Sequence, residues 1–409
     1  MRRSHGGSPG WSTVGHGGDG RPGGPSEPGV NAARFPVALA LPWMSDRVAE
    51  ALEREIRARG PIGFDRFMDL ALYGPGGFYE APPIGPGGHF VTSPHVHPVF
   101  ATLLARAIRE LAAGLGDSAP VRLVELGAGD GTLAEQLLQE LEALPLEYEV
   151  AERSPGARVA LSRLPVRIVD HAAPLDPGFH GIVLANELLD NLPFRRVRSP
   201  DGAPAGYAGG GLVEVLVGLA GDRFVEVEAP CPPDLATLAP ALRPGEEGVV
   251  PVAALDLIDR LAAALALGHV LLIDYGEDSG GPAGPVHGYR GHEAMADVLS
   301  EPGTADLTAG VDLRAVAGRA RAAGLEAHGP VTQEAALRAL GYDRWATDER
   351  TRQTRLLDAG SGLDAARAWG GRSRASLLVD PSRLGGLRWL LLATPGLSAP
   401  PWIAGFRPA

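Results

Sequence analysis

The chain has 409 residues, 45% of them hydrophobic and 21% charged, which places it among folded globular proteins large enough to bury a substantial core. A formal net charge of −12 argues against nucleic acid as a partner, because phosphate recognition relies on clustered positive charge. All 37 basic residues are arginine, which excludes Schiff-base lysines and lysine-dependent phosphate loops; the single cysteine, Cys231, excludes an intrachain disulfide or multi-cysteine metal site and fits a cytoplasmic location.

Residues 1–43 are rich in Gly, Pro, Ser and His and read as a disordered N-terminal extension. Arg2 and Arg3 are not closely followed by an apolar segment, so no export signal is expected, and no apolar run of 18 residues occurs, so no membrane insertion is expected. Met44 opens MSDRVAEALEREIRARG, where Ser45 is placed to cap a helix with Val48, Leu52 and Ile56 on one face; Met44 is thus a second candidate for the translation start beside Met1. Residues 44–115 are expected to form a helical cap that contributes to the active site: a helix in GPIGFDRFMDLALYGPGGFYE, a loop, and a helix over 98–113.

From about 116 the rhythm changes. Short β-rich runs, VRLVEL at 121, EYEVAE at 147, VRIVD at 166 and GIVLAN at 181, alternate with helical pieces, which predicts an α/β fold with a mostly parallel sheet and helices on both faces. One domain over 116–409 is expected, with inserted segments at about 194–230, carrying a β-hairpin, and at about 280–310. Helix 253–266 leads into the apolar strand HVLLIDYG, followed by helix 313–323, a helical stretch at 333–368 and a last strand, LRWLLLATP.

In VELGAGDGTLAEQLL, a strand runs through a glycine turn into an amphipathic helix, so bare backbone and free N–H groups face a ligand. The dinucleotide fingerprint G-x-G-x-x-G is not met, because Thr132 stands where its third glycine belongs; the pattern is E-x-G-x-G-x-G, from Glu125 through Gly127, Gly129 and Gly131. That arrangement resembles motif I of class I S-adenosylmethionine-dependent methyltransferases. In such a fold a carboxylate ending the second strand binds the ribose hydroxyls, a place held by Glu152, and Asp170, closing VRIVD, is positioned to meet the adenine amino group. Each acid taken alone also fits a solvated strand end.

The fourth strand ends in Asn186, Glu187, Leu188, Leu189 and Asp190. If a helical turn begins here, Glu187 and Asp190 share one face; they then either cap a helix with Asn186 or grip a cationic acceptor. Asp274 and Tyr275 end another central strand at the ligand edge, and Tyr275 either closes over the acceptor or packs beneath Tyr289, Arg290, Gly291 and His292. His292 is a candidate proton acceptor that ranks below the carboxylates.

GPIGFDRFMDLALYGPGGFYE, GGHFVTSPHVHPVF, VELGAGDGTL, EVAERSP, ANELLDNLPF, LLIDYG, GYRGH and ADLTAGVDL, in that order, make the chain resemble the MidA-like methyltransferases, bacterial relatives of the mitochondrial complex I assembly-factor protein arginine methyltransferase. The resemblance implies a class I methyltransferase core with S-adenosyl-L-methionine as cofactor, and a protein acceptor, most simply an arginine; the mitochondrial member symmetrically dimethylates an arginine of a complex I subunit. It implies that Glu125, Gly127, Ala128, Gly129, Gly131, Glu152, Asp170 and Asn186 hold the cofactor. Catalysis falls to Asn186, Glu187 and Asp190, and acceptor binding to Tyr73, Tyr79, Asp274, Tyr275, Arg290 and His292. A respiratory-complex subunit is one candidate partner, and a homodimer is compatible. His89, His95 and His97 depart from the family pattern; the Gly and Pro around them argue against a metal site. A non-catalytic assembly protein, a small-molecule methyltransferase and a nicotinamide dehydrogenase are the rival functions, the last disfavoured by Thr132.

Overall fold

A computed structural model describes residues 42–80, 92–116, 120–201, 211–277, 281–290 and 293–404; nearly all of the expected extension over 1–43 lies outside these residues, as do His89 and His292. Helix α1 (Pro42–Arg59) buries Val48, Leu52 and Ile56. It starts before Ser45, which is therefore not its cap: a proline opens the helix instead, since its missing N–H would have no partner in a first turn. Helix α2 (Phe64–Tyr73) buries Phe64, Phe67, Met68, Ala71 and Leu72, each large side chain contributing roughly 1.5–3 kcal/mol. A 3-10 turn, Phe78–Glu80, follows, then the short helix α3 (Ser93–Val96) and the largely apolar α4 (Val99–Gly114).

The α/β rhythm then takes over with β1 (Val121–Leu126), α5 (Thr132–Glu140), β2 (Leu146–Ala151), α6 (Pro155–Leu161), β3 (Arg167–Val169) and β4 (Phe179–Asn186). The expected hairpin after β4 is part of something larger. Strands β5 (Arg195–Arg198), β6 (Val213–Ala220), β7 (Arg223–Pro230) and, after α7 (Pro233–Leu238), β8 (Glu247–Val250) form a separate antiparallel sheet in the order β7-β6-β5-β8. Arg196 and Arg198 on β5 reach Glu226 on β7 and Glu247 on β8, a charge ladder that hydrophobic patterning does not reveal.

Helix α8 (Val252–Ala264) returns the chain to the main sheet as β9 (Leu265–Asp274). The second inserted segment contributes β10 (Gly276–Glu277), β11 (His287–Arg290), β12 (Glu293–Ala294), β13 (Asp306–Thr308) and β14 (Val311–Asp312), with β12-β11-β13 a small sheet of its own. After α9 (Leu313–Ala322) and β15 (Glu326–Thr332), the helical stretch expected over 333–368 is three helices reaching further: α10 (Gln333–Ala339), α11 (Tyr342–Asp358) and α12 (Gly362–Ala375). Strand β16 (Arg388–Ala393) and α13 (Pro401–Ala404) complete the described chain.

The main sheet has seven strands in the order β15-β16-β9-β4-β1-β2-β3. Neighbours from β3 through β9 run parallel, while β16 is antiparallel to both β9 and β15. One apolar core lies under α4, α5 and α10, a second under α8 and α9. Strand order reverses at β1, which pairs β2 on one side and β4 on the other, so a crevice opens beyond the carboxyl ends of β1 and β4. A third core joins α1 and α2 to Phe194, Val217 and Val249 of the first inserted segment and to Leu307 and Ala309 of the second. Cap and insertions thus share one body.

Candidate active site

Three left-handed glycines shape the turn at the crevice, Gly127, Gly129 and Gly131, with φ of 68, 56 and 84°, and the first two line it. At Gly127 a Cβ would stand 2.7 Å from Leu188 Cδ1, so a side chain there would have to displace the end of Leu188 and hold a strained positive φ. Glu152 follows β2 and ties the turn down: Oε2 accepts from Gly129 N–H at 2.9 Å and Oε1 from Ser154 N–H at 2.7 Å. Each oxygen keeps a lone pair for a hydroxyl donor. Above them lies a cavity of about 380 Å³ lined by Gly127, Gly129, Glu152, Tyr73, Tyr79 and Leu188, among others. Tyr73 stacks on Tyr79 with centroids 5.2 Å apart, and the Arg153 guanidinium sits 4.1 Å from the Tyr73 ring while bonding Asp69 at 2.7 Å.

Glu187 lines the same cavity. Its backbone is left-handed, φ 53°, a conformation that costs about 1–3 kcal/mol in a non-glycine residue and is held here by its N–H bonding Ile273 O at 2.7 Å. That geometry corrects the helical turn expected from Glu187: only Leu189–Asn191 form a 3-10 turn, so Glu187 and Asp190 do not share a helix face. Glu187 Oε1 accepts from Ser93 N–H at 2.9 Å and from the Asn186 amide at 3.2 Å. Burial pushes Glu187 up to about 7; the Ser93 N–H draws it back, while the Asp190 charge raises it further.

Three more acids lie nearby. Asp190 accepts from Thr308 Oγ1 at 2.9 Å, and burial lifts it to about 6. Asp306 accepts from Tyr79 Oη at 2.9 Å and the Asn191 amide at 3.1 Å, and burial lifts it to about 7. Asp274 is pushed well above the usual carboxylate range by burial and then by the Asp190 charge. No guanidinium pairs with Glu187, Asp190, Asp274 or Asp306 among the described residues.

Of the residues expected at the site, Gly127, Gly129, Glu152, Glu187, Tyr73 and Tyr79 line the cavity. The others do different work. Glu125 is buried on β1 inside the sheet, where Tyr148 Oη donates to it at 2.6 Å and burial raises it to about 8. Gly131 begins α5 and faces Leu161 and Leu164, and Ala128 is buried in the core beside it. Asp170 is exposed and turns its carboxylate onto Ala172 N–H at 2.9 Å; the cavity wall there is His171, Ala172 and Pro174 instead. Asn186 and Asp190 stand behind Glu187 rather than in the lining. Asp274 accepts three backbone N–H groups, from Leu188, Leu189 and Tyr275, and so fixes the strand ends. Tyr275 remains 42% exposed, and Arg290 pairs with Glu301 at the surface. Sequence reasoning missed Asp69, Arg153 and Asp306, although Arg153 sits inside EVAERSP and Asp306 inside ADLTAGVDL.

These buried acids make stability fall as pH rises. Glu125, Glu187, Asp190 and Asp306 hold protons in the folded state up to about 8, 7, 6 and 7, whereas the unfolded chain releases them near 4, so between those values the folded state binds more protons. The Tm of the ligand-free protein is expected to drop by roughly 5 °C or more from pH 5 to pH 8.5. Glu125→Gln is expected to reduce that drop, read by calorimetry across the same range.

The family model "Putative S-adenosyl-L-methionine-dependent methyltransferase" matches residues 103–331. The human mitochondrial protein arginine methyltransferase NDUFAF7 is 31% identical over 71% of this chain and 72% of its own length, and the bovine protein 29% identical over 86% and 88%. A COG1565 superfamily protein of Burkholderia thailandensis, solved bound to S-adenosyl-homocysteine, shares 26% identity with a TM-score of 0.75, over 92% of this chain and 98% of that one. The bare glycine backbone, the Glu152 carboxylate and the cavity volume suit a nucleoside cofactor, and the cofactor is S-adenosyl-L-methionine. The family match spans more than half of the chain and encloses the glycine turn, Glu152 and Glu187: this protein belongs to that family of S-adenosyl-L-methionine-dependent methyltransferases.

Proposed function

We propose that the protein methylates an arginine guanidinium of a protein acceptor. One observation carries this reading: the Glu187 carboxylate lines the cavity, with further acids packed behind it, and among the described residues no guanidinium pairs with any of them. Behind Glu187, Asn186 Oδ1 is buried without a hydrogen-bond donor, and Asp190 adds its charge to that of Glu187. A guanidinium brings five N–H donors, no acceptor and the positive charge that this unpaired group of acids lacks. The mitochondrial relatives named protein arginine methyltransferase support the same acceptor.

When bound, S-adenosylmethionine supplies an electrophilic methyl group carried on a positively charged sulfur. Gly127 and Gly129 would let it lie against backbone, and Glu152 would hold its sugar hydroxyls. Glu187 Oε2 orients the acceptor nitrogen by charge-assisted hydrogen bonding, so catalysis is alignment and electrostatics. Methylation of a guanidinium releases one proton, and Glu187, poised at about 7, receives it. A respiratory-complex subunit as acceptor belongs to the same proposal, on the family resemblance; so does cytoplasmic placement, on the single free Cys231.

Incubation of the purified protein with radiolabelled S-adenosylmethionine and host lysate tests it. Label is expected in a protein band whose acid hydrolysate contains methylated arginine. Label in a small molecule, or cofactor binding without transfer to any acceptor, overturns the arginine reading.

A further inference from the structure

The segment after the first loop of the cap touches both halves of the site. Helix α3 lies between the glycine turn and Glu187, and His95 is its most heavily tied side chain. The ring is 4% exposed; Nδ1 sits 2.8 Å from Thr92 Oγ1 and Nε2 3.0 Å from Asp130 Oδ2. The neutral tautomer with its proton on Nε2 satisfies both partners, donating to Asp130 and accepting from the Thr92 hydroxyl. Asp130 belongs to the glycine turn, and its other oxygen accepts from Thr132 N–H at 3.0 Å at the start of α5. Two further bonds hold the same segment: the Gln136 amide to Pro94 O at 3.2 Å and the Gln333 amide to Ser93 Oγ at 3.3 Å.

The position of Ser93 matters because its backbone N–H points at Glu187. The titratable groups that face Glu187 are Asp190, Asp274 and Tyr275, all of which oppose a negative charge there. Against them stand the Ser93 N–H, the Asn186 amide and the Ser93 side chain. A displacement of Ser93 weakens two of these three supports, the larger being its N–H.

We propose that His95 is a positioning residue: by bridging Thr92 to Asp130 it fixes α3 so that the Ser93 N–H stays on Glu187, keeping that carboxylate charged and aimed at a cationic acceptor. Through this link the cofactor turn and the acceptor acid are set by one segment, and Asp130, a residue of the glycine turn, serves the acceptor end through His95. The inference rests on the reading of Glu187 as the acceptor-binding acid, but its structural part is testable without turnover.

The test follows the Glu187 carboxyl carbon by NMR in selectively labelled protein, its resonance assigned by its loss in Glu187→Gln. In His95→Ala the titration midpoint of Glu187 is expected to rise by about one pH unit, the scale of losing one hydrogen bond to a charged group. Methyl transfer at pH 7 is expected to fall about fivefold and to recover most of the wild-type rate at pH 8.5, with the acid limb of the rate profile displaced by about one pH unit. His95→Gln, which keeps an N–H for Asp130, restores the wild-type midpoint. Thr92→Val, a milder change that leaves the imidazole in place, shifts the midpoint in the same direction by less and stands in if His95→Ala does not fold. An unchanged midpoint in the folded variant overturns the role of His95. A displaced midpoint without transfer to arginine by the wild-type enzyme upholds the link and instead overturns the reading of Glu187.

Discussion

Replacing Glu187 by glutamine is expected to lower methyl transfer by a factor on the order of 10²–10³ while leaving S-adenosylmethionine affinity within about threefold. The substitution keeps the side-chain volume, and the amide oxygen still accepts from Ser93 N–H where Glu187 Oε1 does now. What it removes is negative charge at a cavity wall where Asp190, Asp274 and Asp306 are already buried and biased toward protonation. Glu187 is the acid of this group that lines the cavity, so no neighbour takes its place against the acceptor. On the proposed reading the cofactor would be held at Gly127, Gly129 and Glu152, none of which bonds the Glu187 carboxylate. Isothermal titration with cofactor and a transfer assay at saturating acceptor separate the two effects. Equal loss of binding and turnover would make Glu187 a structural residue.

The glycine turn and Glu152 were legible in the sequence because their function depends on local pattern: a strand, a turn that needs positive φ, and an acid at the next strand end. Asp170 follows the same pattern and still turns away, because a backbone N–H two residues on, at Ala172, captures its carboxylate. Glu125 likewise sits in the motif yet faces Tyr148 in the adjacent strand, a cross-strand partner that spacing along the chain does not specify. The acceptor end was readable only as a cluster of polar letters. Its geometry depends on Glu187 adopting a left-handed backbone and on partners far along the chain, Ser93 in the cap and Thr308 in an inserted segment. Asp306 and Arg153 were missed for the same reason: each acquires its place from an aromatic side chain of the cap, Tyr79 for one and Tyr73 for the other. Cap and insertions share a core, and no local periodicity announces that a helix near residue 70 will pack on a strand near residue 307.

Gly127→Val is expected to weaken S-adenosylmethionine binding by at least about 100-fold, the largest effect of any single change in the turn. A β-branched residue at φ 68° is a conformational outlier, so the turn must open to admit it. The added Cβ would stand 2.7 Å from Leu188 Cδ1, so the end of that side chain must swing aside while its backbone stays tied by the Leu188 N–H to Asp274 Oδ2 at 3.0 Å. Leu188 lines the cavity, so the displaced side chain and the valine methyls would both compete for volume that the cofactor needs. Gly131→Ala provides the contrast: φ there is 84°, so it too is strained, but its Cβ meets Leu164 and Leu161 outside the cavity at 3.0 and 3.1 Å. That variant should lose stability and keep most of its affinity. Wild-type protein gains thermal stability at saturating cofactor by mass action, about 2.7 kcal/mol at a hundredfold excess over Kd. The valine variant should show no such gain at the same concentration. Binding by Gly127→Val within tenfold of wild type would mean that the cofactor does not lie against this backbone, and Glu152 would lose its assigned partner with it.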